Sequence, residues 1–98
     1  MATFAEYDRY DALGLARLVN AGEVTPAEVL EAAVERVEAR NPAVNAVVSR
    51  LYDRARATIA AGLPRGPFTG VPYLLKDLGA QYAGTVTTWG SAFFRDAV

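Results

Sequence analysis

Gly66-Pro67-Phe68-Thr69-Gly70-Val71-Pro72-Tyr73-Leu74-Leu75-Lys76-Asp77-Leu78 is the stretch on which the reading of the chain turns. Pro67 and Pro72 fix their own φ angles, and Gly66 and Gly70 offer conformations closed to other residues, so the entry to the apolar run is set by local geometry. Tyr73, Leu74 and Leu75 do not alternate with polar residues. Such a run suits a strand covered on both faces, with Lys76 held at its exit. Lys76 is the only lysine of the chain; every other basic residue is arginine. An arginine stays protonated in any protein setting, whereas a desolvated lysine can lose its proton and act as a base. From spacing alone a solvated lysine at a strand terminus is the better account, because lysines are mostly exposed.

Upstream, Thr25 and Glu28 have the spacing of a capping box and Pro26 sits at the first helical position, so a helix is predicted from 26 to 40. Val29, Leu30, Ala33, Val34 and Val37 form its apolar stripe, and Glu28, Glu31, Glu35, Arg36, Glu38 and Arg40 are expected to face water. Asn41-Pro42 reads as its stop. An earlier helix is expected over 11–21, capped by Asp11 and closed by Gly22, and a later one over 51–61, closed by Gly62. The β-branched run at 44–48 reads as a second strand, beside the one at 72–76. Phe4, Tyr7 and Tyr10 recur every three residues, as one helical turn or an extended arm. Residues 78–98 fall into no clear period. The expected fold class is therefore α/β, three helices and two strands, with no internal boundary in 1–98.

The chain has 98 residues, 52% hydrophobic and 21% charged, which describes a globular chain and argues against wholesale disorder. A net charge of −1, with the arginines dispersed among carboxylates, gives no field that would attract nucleic acid. The absence of cysteine and histidine excludes disulfides, thiolate chemistry, a Ser-His-Asp triad and the usual zinc ligand sets. Met1–Asp8 has neither a basic start nor an apolar core, and no run approaches the roughly 20 apolar residues of a membrane span, so a cytoplasmic protein without membrane contact is expected.

The 66–78 run, followed by Thr87-Thr88-Trp89-Gly90-Ser91, resembles the amino-terminal part of the amidase signature family. Gly22-Glu23-Val24-Thr25-Pro26-Ala27-Glu28 and Asn41-Pro42-Ala43-Val44-Asn45-Ala46 are similar to the same family's leading helices, so the match extends over nearly the whole chain. The Leu-Leu-Lys-Asp-Leu wording is similar to members that act on linear or cyclic nylon oligomers. The resemblance implies a Ser/cis-Ser/Lys triad in which Lys76 is the base, and a fold in which these elements pack on a large mixed sheet. It gives Asp77 an orienting or structural part, beside the plain reading of an exposed carboxylate, and sets Thr88 and Ser91 on a loop bordering the site. Leu78 departs from the polar residue frequent at that place. The resemblance also implies a small-molecule amide substrate, no cofactor and no metal, and leaves a homodimer open.

Ser49 and Ser91 are the only serines, and no Gly/Ser-rich run supplies a bridging serine or oxyanion donors. The expectation is an amino-terminal piece of a longer amidase, inactive by itself. Two other readings stay open: the glutamine amidotransferase subunit that serves misacylated tRNA, and a non-catalytic α/β interaction module whose contact surface uses Tyr7, Tyr10, Tyr82, Trp89, Phe93 and Phe94.

Overall fold

Thr25 and Glu28 close the reciprocal cap expected of them: the Glu28 N–H donates to Thr25 Oγ1 at 3.1 Å and the Thr25 N–H to Glu28 Oε1 at 2.9 Å. The computed structural model describes residues 4–98, so the part of the Met1–Asp8 reading that rests on Met1–Thr3 lies outside the described residues. Three helices form, α1 over Ala12–Asn20, α2 over Pro26–Val44 and α3 over Tyr52–Ala61, with short 3₁₀ turns at Ala5–Arg9 and Ala92–Phe94. Asp11 starts α1 by accepting the Gly14 N–H at 2.7 Å. Gly22 ends it at φ +76°, with the Glu23 N–H on the Leu18 carbonyl and the Gly22 N–H on Val19, a Schellman closure.

The α/β expectation is overturned: the described residues are all helix, turn and irregular backbone, without a strand or sheet. At 44–48 the reason is local. Pro42 removes only its own bond to the Glu38 carbonyl, and α2 continues to Val44 because Asn45, at φ +48°, takes the left-handed cap position and donates to the Asn41 carbonyl. Asn41, 6% exposed, then occupies both backbone groups of Val47, accepting its N–H at 2.8 Å and donating to its carbonyl at 2.9 Å. Those are the groups a strand would offer to a neighbour. At 72–76 the run is irregular and uncovered, with Tyr73 79% and Leu74 72% exposed. A strand exists through its pairing, and the described residues offer it no partner.

The core sits among α1, α2 and the amino-terminal turn. Phe4, Leu15, Val29 and Ala32 form its centre, with Tyr7, Leu18, Val19, Val24 and Val71 packed around it. Phe4 stacks on Tyr10 and meets Tyr7 edge-on, so the aromatic spacing resolves as a helical turn. Arg36, expected to face water, is instead the clasp that holds this turn on α2. It donates to Asp8 at 2.8 Å, to the Ala32 carbonyl at 3.0 Å and to the Ala5 carbonyl at 3.3 Å, and lies over the Tyr7 ring.

Two carboxylates of the α2 face also find partners. Glu31 receives two bonds from Arg56 of α3, and Glu38 receives Arg50 and the Tyr52 hydroxyl. Exposed pairs of this kind are screened by water and contribute little, so they orient α3 more than they stabilise it.

Past Asn41 no described side chain is fully buried. The lysine run is fastened to the core at two adjacent residues. Val71 packs against the core cluster, and Gly70, at φ +86°, passes so close to α1 and α2 that an added Cβ would lie 2.9 Å from Val19 Cγ1. Only glycine satisfies both conditions there.

Candidate active site

Lys76 leaves the irregular 71–76 segment just before a turn at 77–79. The strand expected to hold Lys76 at its exit does not form, and Lys76 is exposed, as the reading from spacing alone has it. It stands on the wall of an open cleft of about 590 Å³. Ala46, Val48 and Ser49 of the α2–α3 connection line it together with Val86, Thr88 and Trp89.

Asp77 joins the two sides of its neighbourhood. Its carboxylate accepts the Thr88 N–H at 2.8 Å and the Thr88 hydroxyl, so the turn after the lysine is clamped to the 87–91 segment. Hydrogen bonds from the Thr88 side chain, then from the Thr88 and Trp89 N–H groups, outweigh partial burial and hold this carboxyl below the usual carboxylate range. A depressed pKa means that the clamp is fully present above the ordinary value near 3.8 and is lost as the pH falls through the lower folded value. We therefore expect the Thr88 amide resonance to hold its position from neutral pH down through pH 4 and to move only below it. In Asp77→Asn, which cannot titrate, that acid-side movement disappears; an unchanged titration in D77N would remove Asp77 as its cause.

Thr88 Oγ1 also accepts the Gly90 N–H at 3.2 Å, and the Thr88 carbonyl accepts the Ser91 N–H at 2.9 Å. Ser91 turns its hydroxyl to the Phe93 N–H at 3.2 Å, capping the Ala92–Phe94 turn, and it does not line the cleft. The structure thus brings Lys76, Asp77 and Thr88 to one place and leaves Ser91 at its margin as a backbone cap. Ser49 does reach the cleft.

Sequence reasoning passed over the cleft lining at 46–49 and the residue that shapes it. Asn41 was legible only as part of a helix stop, whereas its amide pins Val47 and with it the course of Ala46, Val48 and Ser49. Its signal was a polar residue on the inner side of the last α2 turn, followed at six residues by an apolar one.

Among the described residues no three His, Cys, Asp or Glu side chains converge closely enough to hold a metal ion, and no helix is long and apolar enough to cross a membrane. The arrangement offers a lysine on a cleft wall, a fixed carboxylate next to it in sequence and a hydrogen-bonded turn held by that carboxylate.

A family model described as Amidase matches residues 28–98. The 6-aminohexanoate-cyclic-dimer hydrolase of Pseudomonas sp. (strain NK87) is 46% identical over 78 residues, covering 80% of this chain and 15% of that protein. The lipoamidase of Enterococcus faecalis is 41% identical over 96 residues, covering 96% and 13% respectively. The acylamidase of Rhodococcus erythropolis is 40% identical over 85 residues, covering 78% and 17%. The chain thus spans about 15% of the length of the curated relatives it matches. No solved structure matches it.

Proposed function

The chain belongs to the amidase family, and from that premise we propose that it is the amino-terminal part of an amide-bond hydrolase, to which it contributes Lys76 as the base. The observation that carries this reading is the placement of the only lysine on a cleft wall, next to a carboxylate already committed to Thr88. Asp77 is thereby kept from pairing with the amine as its main partner, and its part is to hold the turn. A serine hydroxyl attacks a carbonyl only when a neighbouring base takes its proton, and an ammonium in water is no base. Lys76 becomes one when further polypeptide covers the cleft and desolvates the amine, which favours its neutral form.

The substrate class is a small-molecule amide. The named relatives act on a cyclic amide dimer and, by their names, on lipoyl and acyl amides. Ser91 Oγ accepts the Phe93 N–H as a turn cap, and residues 1–98 lack the Gly/Ser-rich run that the family resemblance calls for, so in this reading the nucleophile, the bridging serine and the oxyanion donors are contributed from outside these residues. Lys76 alone does not hydrolyse amides.

The test uses two proteins. The 98-residue chain, given 6-aminohexanoate cyclic dimer or hexanamide, is expected to release no amine or ammonia. A chimera in which this chain replaces the matched segment of the Pseudomonas relative is expected to hydrolyse the cyclic dimer. Turnover by the chain alone, or a folded chimera without activity, would overturn the reading.

A further inference from the structure

Lys76 shares its cleft with a second cation. Arg95 lines the same hollow, and among the described residues Lys76, Arg95 and Asp77 are the only ionisable side chains on its wall. We propose that Arg95 is a carboxylate-binding residue in this cleft, so that the amide taken there carries a carboxylate at its far end. The amide part rests on the hydrolase reading; the anion site follows from the lining alone.

The turn at Ala92–Phe94 sets the guanidinium in place. Ser91 closes one end of it, its Oγ accepting the Phe93 N–H at 3.2 Å. Arg95 closes the other, its backbone N–H and its Nε–H both donating to the Ala92 carbonyl, at 3.3 and 3.2 Å. The terminal nitrogens of the guanidinium are left over. Among the described residues they make no hydrogen bond, and no carboxylate, the terminal one at Val98 included, pairs with Arg95 or Lys76. The same turn is tied to the lysine: the Ser91 N–H donates to the Thr88 carbonyl and Thr88 donates to Asp77, so one series of hydrogen bonds carries both cations on a common frame.

Asp77 does not serve as the missing counter-ion, since both of its oxygens accept from Thr88. With Lys76 protonated, two cations stand against one carboxylate in the cleft. A monocarboxylate cancels that excess, and a phosphate dianion would reverse it. The free edge of a guanidinium also presents parallel N–H donors that match the two oxygens of a carboxylate, which makes the bond bidentate as well as charge-assisted. An amide without a carboxylate leaves that edge to water.

Adipamide and adipamate, the diamide and the monoamide of one dicarboxylic acid, differ only in a carboxamide replaced by a carboxylate. Trp89, the only tryptophan and part of the cleft wall, reports their binding to the 98-residue chain by its fluorescence. Adipamate is expected to bind at least about fivefold more tightly than adipamide, the lower end for hydrogen bonds to a charged group because the cleft is open to water. Arg95→Gln should bring the two to parity with the far-ultraviolet dichroism unchanged. Arg95→Lys, the milder change, keeps the charge without the fork and should retain only part of the preference, and Lys76→Met should retain most of it. Inorganic phosphate is expected to displace adipamate only at about tenfold or greater excess. Equal binding of the two amides, a preference that survives R95Q or is undiminished in R95K, one that is lost in K76M, or displacement by equimolar phosphate overturns the proposal. The two readings fail separately: an active chimera beside a chain that does not prefer adipamate removes the anion site, and a preference abolished by R95Q beside an inactive chimera removes the hydrolase.

Discussion

Lys76→Met in the chimeric hydrolase is expected to lower kcat/KM for the cyclic dimer by about 10²- to 10⁴-fold, the usual contribution of a positioned proton-transfer group. Methionine keeps the length and flexibility of the side chain and removes only its ability to carry a proton. KM should change little, since the loss falls on the chemical step. Lys76→Arg separates a base from a mere positive charge: arginine restores the cation yet stays protonated, so it should leave activity as low as K76M does. Recovery in K76R would assign Lys76 an electrostatic role, and a loss below tenfold in K76M would remove it from the chemistry.

The second large effect concerns the scaffold. Leu15, 4% exposed, packs with Phe4, Val29 and Ala32 at the centre of a small core, and its truncation to alanine is expected to cost about 2–5 kcal/mol. Few other side chains share that burial, so little is left to close the cavity or to compensate. Urea unfolding of Leu15→Ala followed by helical dichroism should show the midpoint lowered sharply or the folded baseline lost. Because Val71 packs on the same cluster, the Trp89 emission of L15A should move towards that of the unfolded chain in the same transition. An unchanged midpoint would mean that this cluster does not hold the chain together.

What could be read from the sequence was what is decided within a few residues. The capping box at Thr25 and Glu28, the Asp11 cap, and the glycine closures at Gly22 and Gly62 all came out at the expected places, since each depends on neighbours three or four positions away. The errors lie where distant groups compete. Asn41-Pro42 has the wording of a helix stop, but Asn45 supplies a better cap beyond it and the Asn41 side chain claims Val47, which converts a predicted strand into a helix end and a pinned loop.

Arg36 reads as a solvent-facing residue by helical period, yet its partners Ala5 and Asp8 lie far back in the chain, a contact no local pattern contains. The run at 72–76 has strand composition; composition cannot provide a second strand to pair with. For the candidate site, residue type singled out Lys76, and the family resemblance added Asp77, Thr88 and Ser91; the first three meet around one cleft and Ser91 stays at its margin. The exposure of Lys76 agrees with the reading from spacing alone, whereas the residues that share its cleft depend on which segments lie beside which, and so were invisible.

Every fully buried described side chain, from Phe4 to Asn41, precedes the lysine in the order of translation. A ribosome works from the amino end, so all the buried described residues exist before Lys76 has been polymerised. The packed part can therefore settle first, and the segment proposed to carry the chemistry is laid onto it, touching it at Gly70 and Val71.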